Sequence, residues 1–163
     1  MKIMVTGERG YIGAVLVPML KEKGYKVVGY DSGYFSDNLL ERFDEDYQKI
    51  TKDIRDITME DLDGVDGIIH LAGLSNDPLG EFSPKLTEDI NYNGTMNLAK
   101  KAREAGVSRF VYASSQSMYG VSNTTTELDE DDSEKNPVTA YAIAKWNAEQ
   151  QLHSMSTDDF VVT

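Results

Sequence analysis

The chain has no cysteine. No disulfide, thiolate zinc site or thiol nucleophile can be built from it, and no metal-ligand set is expected. Histidine occurs twice in 163 residues and tryptophan once. Basic residues are in deficit: 16 Lys and Arg against 28 Asp and Glu leave a net charge of -12. A nucleic-acid binder needs a basic stripe to displace counterions, so nucleic acid is not an expected partner. The acidic balance is read as a solubility feature. No run approaches the roughly 20 apolar residues that span a bilayer. Met1-Lys2 leads straight into a short apolar strand, without a signal peptide's longer apolar region. No membrane partner is expected, and the cytoplasm is the default location. Repeats and low-complexity runs are missing too, which removes solenoid and disordered classes.

What is present is an ordinary apolar content of 40%, enough at this length for one core and one domain. Residues 2–6 form a buried-strand run. Tyr11 to Lys23 carries Ile12, Val15, Leu16, Met19 and Leu20 at helical spacing, with Pro18 inside and Gly24 as the stop. A second strand, 26–30, ends at Asp31, and a polar, partly helical stretch runs to about 46. The rhythm then repeats: a strand at 47–51, a short helix at 59–62, a strand at 67–71, and a long helix at 84–105 closed by Gly106. A strand at 109–113, a helix at 138–155 and a strand opening at Phe160 complete it. Alternating strands and helices predict an α/β fold, a doubly wound, Rossmann-like parallel sheet with helices on both faces. Such sheets bind ligands at the carboxyl ends of their strands.

The first strand leads into Thr6-Gly7-Glu8-Arg9-Gly10-Tyr11-Ile12-Gly13. Gly7 permits a sharp turn, Gly10 lets backbone amides approach a phosphate, and Gly13 lets the helix pack against the sheet. The helix N-terminus adds free donors and a positive dipole end. Asp31 ends the second strand near the ~20-residue offset at which a carboxylate accepts both ribose hydroxyls of an adenosine. It would repel a 2′-phosphate, so the expected cofactor is NAD and not NADP. Within the turn, Arg9 is expected to reach the pyrophosphate and Glu8 to face solvent.

Further along, Tyr141 and Lys145 stand four apart on one helix face. A tyrosine ionises near pH 10, so work as a base near neutrality needs roughly 4 kcal/mol of differential stabilisation. A neighbouring ammonium supplies charge of the right sign. The strand 109–113 runs into the hydroxyls of Ser114 and Ser115, at the sheet edge that also holds the glycine turn.

These motifs belong to an ordered set. It comprises TGERGYIG, Asp31, Asp53-Ile-Arg-Asp56, His70-Leu-Ala-Gly73, Asn91 with Gly94-Thr95, Ser114-Ser115 before Tyr119-Gly120, and Pro137 before Tyr141 and Lys145. In it the chain resembles the extended short-chain dehydrogenase/reductases, specifically the NAD-dependent nucleotide-sugar epimerases and dehydratases. The resemblance runs through nearly the whole chain. It implies that Tyr141 is the general base, that Lys145 holds the nicotinamide ribose and lowers the tyrosine's pKa, and that Ser115 polarises the reacting oxygen. Gly7, Gly10, Tyr11, Ile12 and Gly13 would line the pyrophosphate, and Asp53 and Ile54 would meet the adenine. Leu71, Ala72 and Gly73 would border the cofactor, with Asn91 and Ala113 in the same set. His70 is read as a packed wall residue with no proton to move.

The family's 4,6-dehydratases place Asp-Glu after the serine, whereas this chain has Gln116-Ser117. An amide and an unactivated hydroxyl do not shuttle protons at useful pKa values. That favours an epimerase, like UDP-glucose 4-epimerase, over a dehydratase or reductase of the same family. The family's second, smaller domain follows the strand near 160. Residues 1–163 are therefore expected to be the NAD-binding domain, truncated before the part that grips a nucleotide sugar, and binding or sensing without turnover is the competing expectation. The helices 84–105 and 138–155 correspond to those the family uses for a homodimer, and a homodimer is expected; the apolar positions Ile90, Met96 and Leu152 either face outward to serve it or pack on the sheet.

Overall fold

A computed structural model of the chain describes residues 1–35, 46–121 and 125–163. The stretch expected to be polar and partly helical lies, from 36 to 45, outside the described residues. Strands β1 (Lys2–Thr6), β2 (Lys26–Asp31), β3 (Gln48–Thr51), β4 (Gly67–His70), β5 (Arg109–Tyr112) and β6 (Val161–Val162) form one sheet. Their order is β3-β2-β1-β4-β5-β6 and every pairing is parallel. The fold is the doubly wound, Rossmann-like α/β architecture. The order reverses between β1 and β4, and open sheets of this kind place their ligand crevice at that switch point.

Alternation along each strand divides the core. Ile3, Val5 and Val27 pack on one face with Val17 and Leu20 of helix α1 (Tyr11–Glu22), which continues through Pro18. Met4, Val28, Tyr30, Ile68 and Phe110 face the other way, against Leu98, Ala99 and Ala102 in the helix Thr95–Glu104 and Ala148, Leu152 and Met155 in the helix Ala140–Met155. Asn76 caps a short helix, α2 (Asp77–Phe82), that periodicity does not reveal. The expected long helix over 84–105 is built from α3 (Pro84–Glu88), a π-helical turn (Asp89–Gly94) and α4 (Thr95–Glu104). Helix α5 (Ala140–Met155) starts at Thr139, whose hydroxyl accepts from the Ala142 amide.

Of the two readings of the apolar positions on these helices, packing on the sheet holds and the outward one does not. Met96 and Leu152 are 6% and 1% exposed and belong to the core, with half-buried Ile90 packed against it. Packed in this core, Met96 and Leu152 offer no surface for a second copy. No helix among the described residues is long and apolar enough to cross a membrane.

Candidate functional site

The strand register sets Tyr30, Thr6, His70 and Tyr112 side by side near the carboxyl edge of the sheet. The glycine turn folds over this edge. Gly7 has φ +72, and its amide donates to the Tyr30 carbonyl at 2.8 Å. A Cβ there would stand 2.8 Å from the Ala72 nitrogen, and one on Gly13 would stand 2.5 Å from the Gly7 oxygen. The turn is thus pressed between α1 and the end of β4 by contacts that only glycine permits. Gly10 caps α1 without a side-chain hydrogen bond, so the first-turn amides stay available to an anion. The Tyr11 and Ile12 side chains are exposed at this helix start.

Beyond the turn, Asp31 accepts from the Arg9 amide at 3.2 Å and the Gly33 amide at 2.7 Å. Glu8 does not face solvent. Its side chain is fully buried, and its carboxyl lies over Gly29 of β2. The missing Cβ of Gly29 makes the room. Burial, then the neighbouring charge of Asp31, raises the Glu8 carboxyl from 4.5 to about 7, with Arg9 opposing. Arg9, expected at the pyrophosphate, is engaged at the β2–β3 end. Its Nε donates to Glu8 at 3.2 Å and its Nη2 to Thr51 Oγ1 at 2.9 Å.

Asp53 starts a 3-10 turn over Ile54–Asp56 and accepts from the Arg55 amide and guanidinium at 2.8–3.0 Å. Arg55 also reaches Asp89 at 2.9 Å, and these bonds hold the Asp53 carboxyl below its ordinary range. The Ile54 side chain is in the core, so it is the backbone of 53–54 that can be offered to a base.

A chain of buried hydrogen bonds ties the middle of this edge together. The Ala72 amide donates to Thr6 Oγ1 at 3.2 Å, and Thr6 Oγ1 meets His70 Nδ1 at 2.6 Å. His70 Nε2 meets Thr95 Oγ1 at 2.8 Å, and Thr95 donates onward to the Asn91 carbonyl at 2.7 Å. Because Thr95 gives its hydrogen to Asn91, it accepts from His70, which is therefore protonated at Nε2 and accepts from Thr6 at Nδ1. Burial, with Lys145 nearby, lowers the imidazole to about 3. His70 is the packed wall residue that its strand-end position implies. The Asn91 side chain clasps Leu74, accepting from its amide at 2.8 Å and donating to its carbonyl at 2.9 Å. The segment 71–74 is thereby fixed.

Lys145 and Ala113 meet between α5 and the end of β5. Lys145 is 6% exposed, donates to the Ala113 carbonyl at 2.9 Å and lies 4.7 Å from the Tyr112 ring centroid. Burial lowers its ammonium to about 8. Tyr141 is buried one turn earlier on α5. Two residues past Ala113, Ser115 caps the 3-10 turn Gln116–Tyr119, and its Oγ accepts from the Ser117 amide at 3.2 Å. That bond leaves the Ser115 hydroxyl hydrogen free to be donated elsewhere.

One participant was not read from the sequence. Asp77, on α2, accepts from Thr139 and, at 3.4 Å, from Ser117, so it bridges the start of α5 to the serine turn. Its signal was the Asn76-Asp77-Pro78 helix start. Thr6 and Thr95, quoted within the motifs without a role of their own, carry the His70 chain. The buried Tyr112 hydroxyl has no hydrogen-bond partner among the described residues.

Comparison with known proteins adds the lineage. The model of the family described as "NAD dependent epimerase/dehydratase family" matches residues 3–162. A UDP-glucose 4-epimerase of Mycolicibacterium smegmatis is 33% identical over 162 residues, covering 94% of this chain and 50% of that protein. Protein CapI of Staphylococcus aureus is 29% identical over 167 residues, covering 96% and 50%. Among solved structures, the UDP-glucose 4-epimerase of Thermotoga maritima with UDP-glucose superposes with a TM-score of 0.83 at 27% identity, covering 94% of this chain and 50% of that one. That of Thermus thermophilus, in complex with NAD, gives 0.82 at 25%, again covering 94% and 50%. The chain thus spans half the length of each of these relatives.

Proposed function

The chain belongs to the NAD-dependent epimerase/dehydratase family, and from that membership we propose that it is the dinucleotide-binding domain of an NAD-dependent nucleotide-sugar epimerase. The residues present fit the cofactor. Gly10 leaves the α1 amides open to a pyrophosphate, and Asp31 retains acceptor capacity beyond its two backbone bonds. Lys145 uses one of three ammonium hydrogens on Ala113, which leaves two for ribose hydroxyls. A bound NAD supplies a reversible hydride acceptor.

The observation that carries the proposal is the Lys145–Ala113 hydrogen bond, 2.9 Å. It fastens the helix bearing Tyr141 to the strand end that leads into Ser115. A sugar hydroxyl between them would give its proton to Tyr141 Oη, with Ser115 Oγ donating to the same oxygen, as the hydroxyl's carbon loses a hydride. Tyr141 would return the proton when the hydride comes back to the carbon's other face, which inverts that centre. The Lys145 charge favours the phenolate needed for the first step. UDP-glucose is the substrate that the Mycolicibacterium and Thermotoga relatives suggest. Gln116 and Ser117 supply no acid–base pair for eliminating water.

Replacing Tyr141 with Phe should lower turnover by at least ~10²-fold, the usual worth of a general base, and leave NAD binding intact. Full activity in Tyr141→Phe would refute the assignment. Because the chain spans half of its relatives, a second reading is that these 163 residues bind NAD without turnover. An assay of the isolated chain with NAD and UDP-glucose separates the two.

A further inference from the structure

The glycine turn holds a carboxyl where an anionic cofactor is to bind, and its surroundings are unusual. Glu8 is 1% exposed. A Cβ added to Gly29 would fall 2.6–2.7 Å from Glu8 Cγ, Cδ and Oε1, so the strand gives up a side chain to admit this one. Oε1 accepts from Arg9, while Oε2 is buried with no hydrogen-bond partner among the described residues. An unpaired buried carboxyl oxygen costs stability, which a merely solvated loop residue would not bear.

The location explains what the carboxyl does. Gly29 and Asp31 point to the same face of β2, two residues apart, and Thr51 pairs with Asp31 across β3. Glu8, Arg9, Asp31 and Thr51 therefore form one cluster at the end where an adenosine ribose would meet Asp31. Arg9 crosses this cluster, its amide on Asp31 and its guanidinium on Glu8 and Thr51. A guanidinium there is a ready partner for phosphate oxygens, in conflict with an Asp31 that suits a hydroxyl pair.

We propose that Glu8 is a specificity-determining residue: its buried carboxylate holds and cancels the Arg9 guanidinium beside Asp31, so that the adenosine end accepts a free ribose 2′-hydroxyl and rejects a 2′-phosphate. This rests on the assignment of the site to NAD. Among the described residues, Glu8 is the carboxylate that accepts from the Arg9 guanidinium, while the bond from Arg9 to Asp31 comes from its backbone amide. Removing the Glu8 charge takes away this anchor and leaves the positive charge of Arg9 uncancelled by Glu8 beside Asp31.

The test is equilibrium binding of NAD and of NADP, followed by titration calorimetry at pH 8, for the wild-type protein, Glu8→Gln and the Glu8→Gln/Arg9→Ala double variant. Glu8→Gln should reduce the preference for NAD by about tenfold, the effect of one charge at near-contact range in a partly solvated site. The double variant should restore the preference, because the gain for NADP runs through Arg9. A ratio unchanged in Glu8→Gln, or a gain that survives Arg9→Ala, overturns the proposal. Glu8→Met, apolar and of similar length, repeats the test if the amide does not fold. Failure of the wild type to bind NAD would overturn the cofactor assignment itself, a result distinct from an unchanged ratio.

Discussion

His70 has each ring nitrogen against a threonine hydroxyl, and both hydroxyls are already committed to further partners. A second ring proton at Nδ1 would displace the hydrogen that Thr6 donates, so hydrogen bonding disfavours the charged form in the same direction as burial. The linkage has a definite sign. The folded imidazole is held near 3 and the unfolded one titrates near 6.5, so the unfolded chain binds more protons between those values. Stability is intact above pH 6.5 and falls on acidification by up to about 1.4 kcal/mol per pH unit until near pH 3. Urea unfolding of wild type and His70→Gln from pH 7 to 5 checks this: the difference in unfolding free energy should shrink as pH falls. A difference independent of pH would mean that His70 takes up its proton in the fold as readily as in the unfolded chain. Glu8 has the opposite sign. Its folded carboxyl titrates near 7 against 4.5, so its cost is absent below pH 4.5 and grows as pH rises through 7. Wild type should therefore show a flatter stability profile between pH 4.5 and 6.5 than either single-site variant.

At the scale of elements, helix α2 is short, yet it joins two carriers of the site. Asp77 accepts from Thr139, the N-cap of α5, and from Ser117 in the serine turn. Asp77→Ala should leave both hydroxyls without this acceptor and lower unfolding stability by about 1–3 kcal/mol, read as a shift in urea midpoint at constant slope. Asp77→Asn, which keeps an acceptor oxygen, should recover part of the loss. Helix α2 is also a place where the sequence was legible only in part. The strands announce themselves because parallel strands covered on both faces are continuous apolar runs, as in Lys2–Thr6 and Gly67–His70. Glycine stops such as Gly24 and Gly106, with φ of +82 and +80, mark helix ends directly. A six-residue helix has too few turns to set up a period, so only its cap, Asn76, and the proline after it could speak for it. The π-helical turn at Asp89–Gly94 interrupts neither the apolar rhythm nor the helix direction, and so 84–105 reads as one helix. Glu8 escaped for a different reason. Its burial is decided by Gly29, 21 positions away, and a glycine inside a strand was the only hint that something approaches it.

Over the whole molecule, a net charge of -12 repels an anionic ligand at long range, so attraction has to be local. The available attractors are the α1 amides and Lys145, with the Arg9 guanidinium already tied to Glu8. They sit on opposite sides of the switch between β1 and β4. The proposed contacts run from the β2 end at Asp31, through Gly7–Gly13 and 71–74, to Lys145 on α5, and so span four of the six strands and helices on both faces. A ligand held in this way binds only when both halves of the sheet are in place, so NAD should stabilise the global transition and not one local segment. At a free concentration of 100 times Kd the linkage amounts to about 2.7 kcal/mol, or a rise in Tm of roughly 5–10 °C for a domain of this size. Calorimetric melts at increasing NAD check the magnitude. Tyr141→Phe should retain the shift, because its phenol is assigned to proton transfer, whereas Lys145→Ala should lose much of it. A Tm that does not respond to NAD would show that the two sides of the switch are not bridged by the cofactor, and the catalytic roles assigned to Tyr141 and Ser115 would then have no hydride acceptor to work with.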